Sequence, residues 1–256
     1  MTEETMLALD GVTLAFGPKL IQRDISLEVR RGSIFAIMGG SGCGKSTLLK
    51  SMIGLLRPTE GRFSVQGEDY WAATPARRDA INHRFGVLFQ SGALWSSMTL
   101  GENVALPMQM LTRLAPDTIR RMVELKLGFV GLSEAIDLMP SEISGGMRKR
   151  AGLARALSLD PDILFFDEPS AGLDPITSAR LDDLILNLRD GLGATIVIVS
   201  HELPSLFRIA DAGIFLDARS KTPIAHGSPA HLRDHCTDPQ VHAFMTRERE
   251  QGDNNP

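Results

Sequence analysis

No stretch of the 256-residue sequence approaches the roughly 18 to 20 apolar residues that a membrane-spanning helix needs. The chain is therefore not expected to cross a bilayer. The amino terminus, MTEETMLALD, is acidic and lacks the basic-then-apolar pattern of a secretion signal, which argues for the cytoplasm. Basic charge is not in excess: 27 Lys and Arg stand against 31 Asp and Glu, for a net charge of −4 and a pI near 5.9. Nucleic-acid binding driven by a basic face is not expected from such a balance. Aromatic residues make up only 5%, and there are two cysteines, Cys43 and Cys236. Cys43 lies inside a glycine-rich loop where a disulfide would obstruct a ligand, so a reducing compartment is expected. No internal repeat is visible.

A hydrophobic content of 43% is enough to bury a substantial core, as one large domain or one with an inserted subdomain. MLALDGVTLAFG and DISLEV alternate apolar and polar residues around turn glycines, the pattern of an antiparallel β layer. SIFAIMGGSGCGKSTLLKSMIGLL then reads as a buried strand, a glycine loop and an amphipathic helix. After FGVLFQ, residues 91–157 are mainly helical, with breaks at Pro107, Pro116 and Pro140, and read as an inserted helical subdomain. Strand signals return at DILFFDEPS and TIVIVSHE with a helix between them, which implies a parallel sheet. The expected layout is a catalytic core over 1–90 and 158–228, and a polar docking or flexible tail over 229–256.

Residues 39–46 fit G-x-x-x-x-G-K-[ST] between a strand and a helix, as a phosphate-binding loop requires. Gly39, Gly40, Ser41, Gly42, Cys43 and Gly44 would wrap the β-phosphate. Lys45 would sit between the β- and γ-phosphates, Ser46 would ligate Mg²⁺, and Thr47 would reach the α-phosphate. ILFFDEPS delivers Asp167 and Glu168 to the carboxyl end of a buried strand, where α/β sheets bind ligands. Asp167 suits Mg²⁺ held through water, and Glu168 suits the base that takes a proton from attacking water. The plainer alternative is that this acidic pair caps the following turn. His201 ends the next apolar strand and could donate to a γ-phosphate. Gln90 ends FGVLFQ in the same way and could touch Mg²⁺ or orient water. A second candidate cradle, SGGMRKR at 144–150, precedes the helix-forming AGLARAL.

Together these motifs resemble the nucleotide-binding subunit of an ATP-binding cassette (ABC) transporter. The ordered matches are the loop 39–47, Gln90, ISGGM at 143–147, ILFFDE at 163–168, AGLD at 171–174, and His201. The resemblance implies an α/β P-loop NTPase fold with a RecA-like parallel-sheet core, an N-terminal antiparallel β layer and an inserted helical subdomain. It implies ATP and Mg²⁺ as cofactors. Phe16 occupies the place of the family's adenine-stacking aromatic, with a core position on a strand as the alternative. It also accounts for two cradles in one chain. In this family two subunits pack head to tail, so Ser144, Gly145, Gly146 and Met147, with Asp174, would close over the ATP of a partner in a homodimer.

LFQSGALWSSMTLGENVALPM, LMPSEISGGMRKRAGLARAL and DEPSAGLDPITS resemble the ATPase of the Mla/Mce-type lipid transporters of Gram-negative envelopes. Met147 stands where most transporter ATPases have Gln, and DPQVHAF (238–244) is similar to that branch's ending. This narrower resemblance implies an ATPase that moves phospholipid between inner and outer membranes and lies peripherally on the cytoplasmic face of the inner membrane. Its partners would be two permease subunits, a periplasmic MCE-type lipid-binding subunit and a small STAS-type cytoplasmic regulator. Leu94, Trp95 and Met98 would line the groove for a permease helix, unless Trp95 is ordinary core. The rival readings are a small-solute importer, for example of amino acids, and a non-transport cassette ATPase acting on nucleic acid or the ribosome.

Overall fold

A computed structural model describes residues 4–247. The chain begins with β1 (Thr5–Phe16), β2 (Lys19–Arg30), β3 (Ile34–Gly39), α1 (Lys45–Met52), β4 (Glu60–Val65), β5 (Glu68–Asp69), α2 (Pro75–Asn82) and β6 (Phe85–Leu88). A helical segment follows: α3 (Leu100–Leu111), α4 (Pro116–Phe129) and α5 (Gly145–Ala156). The chain then runs through β7 (Ile163–Asp167), α6 (Pro175–Leu192), β8 (Thr195–Val199), α7 (Leu203–Ile209), β9 (Ala212–Leu216), β10 (Pro223–His226), α8 (Pro229–His235) and α9 (Pro239–Thr246).

Two sheets result. The first is antiparallel in the order β2-β1-β4-β5, and the second runs β10-β9-β3-β8-β7-β6. All pairings in the second are parallel except β9 with β10. β3 is buried at every position, the signature of a central parallel strand covered on both faces. Its side chains alternate between two cores. Ile34, Ala36 and Met38 join the helical side with Leu100, Val104 and Leu153, whereas Phe35 and Ile37 join the β-layer side with Leu7, Leu14 and Leu48. The segment α3–α5 thus shares a continuous core with the sheet. The α/β P-loop architecture, with its N-terminal β layer and helical insertion, is the one expected.

From Pro229 on, within the stretch expected as a docking or flexible tail, the described residues form α8 and α9. Leu232, Val241 and Met245 are buried, and Phe244 meets Phe215 edge-on at 5.0 Å. Polar composition hides this order. Ser228-Pro229 and Asp238-Pro239 are each an N-cap followed by a first-turn proline. Val241, Phe244 and Met245 then recur at helical spacing and face the core. Residues 248–256 of that stretch lie outside the described residues. Among the described residues, no helix is long and apolar enough to cross a membrane.

Candidate nucleotide site

β3 ends at Gly39, and a loop leads from it into α1. Two of its glycines are required by space as well as by backbone angle. Gly39 has φ 139° and a Cβ there would lie 2.4 Å from the carbonyl oxygen of Leu216; Gly44 has φ 100° and its Cβ would lie 2.8 Å from Ile21 Cγ2. Lys45 opens α1, and its Nζ donates to the carbonyl oxygens of Gly39 and Gly40, each at 2.8 Å. The ammonium is therefore held across the loop. The loop, with Ile21, Gln90, Glu168, His201 and Phe244, lines a cavity of about 590 Å³.

The opposite wall comes from the carboxyl ends of β7 and β8. Ser46 Oγ donates to Asp167 Oδ1 at 3.2 Å, bringing a hydroxyl and a carboxylate together at the cavity edge. Glu168 has φ 51°, a left-handed conformation that is strained for a side-chain-bearing residue and clusters at functional sites. Its backbone N–H donates to the Val199 carbonyl at 2.8 Å. His201 Nδ1 stands 2.8 Å from Glu168 Oε1, and the His201 backbone N–H donates to Oε2 at 3.4 Å. A turn-capping role for the acidic pair does not describe this arrangement, because Glu168 faces His201 and the cavity.

Other expected residues are placed as follows. Gln90 and Thr47 line the cavity. The Cys43 side chain turns away into the core at 2% exposure, where burial pushes its thiol up, so only its backbone belongs to the loop. Phe16 is 52% exposed at the end of β1, which rules out a core position, and it lies outside the cavity wall. Trp95 is 58% exposed and is likewise not core. Its backbone is pinned by the buried Asn103, whose Oδ1 accepts from Trp95 N–H at 2.8 Å and whose Nδ2 donates to the Trp95 carbonyl at 3.1 Å. Leu94 and Met98 flank it, half-buried.

Ser144 caps α5, its Oγ accepting from Met147 N–H at 3.2 Å. Neither it nor Gly145, Gly146 or Met147 lines the cavity of its own chain. A Cβ at Gly146 would come within 2.9 Å of Thr177 Cγ2, whereas a Cβ at Gly145 would meet nothing within 4 Å. Asp174 caps α6, accepting from Ile176 and Thr177 N–H groups at 3.1 and 3.0 Å. Hydrogen bonding from Thr177 holds its carboxyl below the usual range.

Several supporting residues carry no sequence signature. Lys149, in the basic run 148–150, is only 7% exposed. Its Nζ donates to the carbonyls of Ala171 at 2.5 Å and Glu168 at 3.2 Å, bracing the turn after β7 from α5. Burial pulls this ammonium below the ordinary lysine range, against the opposing pull of the Glu168 charge. Arg155 on the same helix donates to the Ala93 and Gly92 carbonyls at 2.7 and 3.1 Å, tying α5 to the segment after Gln90. Gln22 is wholly buried, and its Nε2 donates at 2.7 Å to the carbonyls of both Cys43 and Asp217.

A parallel-sheet core with a lysine-bearing phosphate loop and a carboxylate pair at the neighbouring strand end defines a P-loop ATPase. The ABC transporter family model matches residues 22–171, and the chain belongs to that family as its ATP-binding subunit. It is 45% identical over 241 residues to the intermembrane phospholipid transport system ATP-binding protein MlaF of Escherichia coli K12, covering 94% of this chain and 88% of that one. The MlaF protein of Haemophilus influenzae is 42% identical over 90% of this chain and 86% of its own. Among solved structures, CbiO1 from Clostridium perfringens, part of the ABC transporter complex CbiONQ, superposes with a TM-score of 0.81 at 26% identity, covering 93% of each chain. The dimeric bacterial ABC transporter cassette MJ0796 gives 0.79 at 27% identity, over 86% of this chain and 97% of that one.

Proposed function

We propose that this chain is the ATP-hydrolysing subunit of an inner-membrane transporter that moves phospholipid between the inner and outer membranes. The observation that carries the hydrolytic reading is the convergence of Lys45, Ser46, Gln90, Glu168 and His201 on one cavity, with Asp167 bonded to Ser46 at its edge. Lys45 would release its loop carbonyls to bind the β- and γ-phosphates, and the loop N–H groups would cradle them. Glu168 would take the proton of an attacking water, with His201 holding the carboxylate in place and donating toward the γ-phosphate. Phe16, exposed on its hairpin, would stack on adenine.

The adjacent Ser46 hydroxyl and Asp167 carboxylate, with Gln90 beside them, are hard oxygen donors of the kind Mg²⁺ takes when substrate phosphates complete its shell. When bound, the ion supplies neutralisation of phosphate charge.

Turnover would require two copies. Among the described residues Gly145 has no neighbour that a side chain would disturb, and its φ is not left-handed, yet a glycine there opens α5 at a cost in helix propensity. Close approach of a partner's γ-phosphate to Ser144, Gly145, Gly146 and Met147 supplies the missing reason. Asp174, exposed at the start of α6, would meet the same interface. ATP binding would close the head-to-tail homodimer and hydrolysis would release it.

The phospholipid cargo is supported by relatives named for that transport that align along nearly their whole length. A mycobacterial relative named as a probable ribonucleotide transporter ATPase is equally identical, at 45%, but this chain spans only 55% of it. That makes the small-solute reading the less favoured one. In the favoured reading the chain sits peripherally on the cytoplasmic face of the inner membrane. Leu94, Trp95 and Met98 receive one of two permease subunits, an MCE-type lipid-binding subunit lies beyond, and a STAS-type regulator binds on the cytoplasmic side. Purification of the tagged chain from its own membranes tests this. Phospholipid and a lipid-transport permease should accompany it, and recovery of an amino-acid permease would overturn the cargo assignment.

A further inference from the structure

One wall of the cavity comes from outside every phosphate-binding motif. Phe244, on α9, lines the same space as Gly40, Ser41 and His201. Its ring stands edge-on to Phe215 of β9, at 5.0 Å and 77°. Phe215 pairs with Met38, and Leu216 with Gly39, so the ring rests on the strand beside the first residue of the phosphate loop.

Polar contacts tie α9 to the site at both ends. Gln240 Nε2 donates to Asp217 Oδ1 at 2.8 Å. The Asp217 carbonyl accepts from Gln22, which also donates to the Cys43 carbonyl within the loop. At the far end, Arg247 Nη2 lies 3.9 Å from Glu202 Oε2, and Glu202 Oε1 lies 3.6 Å from His201 Nε2. The inner face of α9 is anchored separately by the buried Val241 and Met245.

We propose that Phe244 is a positioning residue for ATP hydrolysis, an apolar wall delivered by α9 that fixes His201 and the first turn of the phosphate loop. An apolar ring there excludes water from the reacting end of the cavity and strengthens every charge interaction inside it. The proposal rests on the reading of this cavity as the ATP site.

The test is ATPase kinetics and thermal melting of the full chain carrying Phe244→Leu, Phe244→Ala or Val241→Ala. A misplaced catalytic group costs rate rather than affinity, so kcat should fall about threefold with Leu and about tenfold with Ala while KM moves less than about threefold. Val241→Ala, which truncates a buried anchor of α9 that does not line the cavity, should lower the melting temperature and cost less kcat per folded molecule than Phe244→Ala does. If Phe244→Ala does not fold, the Leu variant carries the test. A flat kcat across the Phe244 variants, or an equal loss with Val241→Ala, would overturn the proposal. Lys45→Ala run alongside separates the two claims: unimpaired turnover there would sink the ATP-site reading itself.

Discussion

His201 Nδ1 lies 2.8 Å from Glu168 Oε1, joining the residues that follow two adjacent parallel strands. The Glu168 backbone N–H reaches back to the Val199 carbonyl at 2.8 Å, so the pair is fixed at both main chain and side chain. His201→Ala would free the Glu168 carboxylate and remove a donor to the γ-phosphate. Hydrolysis should fall by about a hundredfold, the usual scale for a lost positioned catalytic group, with ATP affinity little changed. Single-turnover kinetics alongside equilibrium ATP binding would check this.

Lys149 braces the strained Glu168 turn from below through the Ala171 and Glu168 carbonyls. Lys149→Met keeps length and apolar stem but removes the lysine donor from both carbonyls, of which only that of Glu168 keeps another, the Ala171 N–H at 3.3 Å. Stability should drop by about 1–3 kcal/mol, the cost of unsatisfied buried polar groups, and hydrolysis should weaken as the turn loosens. Denaturant unfolding and ATPase assays on the same preparation measure both effects.

Asp217 gives a pH-dependent prediction. Burial raises its carboxyl, but hydrogen bonds from the Ser220 backbone and the Gln240 side chain outweigh this and hold it at about 2, against an ordinary value of 3.8. Because the folded-state value is depressed, the stabilisation is fully present above the unfolded value and is lost as pH falls toward 2. Its size is about 2 kcal/mol. Urea unfolding of the wild type and Asp217→Asn should show a constant gap at neutral pH that closes below about pH 4. A gap independent of pH would contradict the assignment.

Among the described residues, Lys45 Nζ donates to acceptors of its own loop, the Gly39 and Gly40 carbonyls at 2.8 Å and the Cys43 Sγ at 3.9 Å. Lys45→Ala should fold normally and lose ATP affinity, by at least about tenfold given a charge-assisted contact to phosphate. Calorimetric titration with ATP reads this directly.

The loop at 39–47, the Asp167–Glu168 pair and His201 were legible in the sequence because each follows a continuous apolar strand. Parallel strand ends of one sheet must converge on one edge. Gln22 was not, since it sits in an alternating strand where polar residues normally face water, and its partner Asp217 is 195 residues away. Lys149 was masked by two basic neighbours, only one position of which the helix turns inward. α9 was masked by polar composition, although its Asp238-Pro239 cap follows the same rule as Asp174-Pro175. For Gln22 and Lys149 the deciding contact is tertiary and local pattern carries no record of it, whereas α9 had its cap and apolar spacing in the sequence, outweighed there by polar composition.

The most direct test of an ATPase whose two sites close between copies is Glu168→Gln with ATP, followed by sedimentation. The account predicts that the variant binds ATP, hydrolyses it at no more than about a hundredth of the wild-type rate, and accumulates as a dimer that ADP does not support. Wild-type turnover by the variant, or a monomer at saturating ATP, would contradict it.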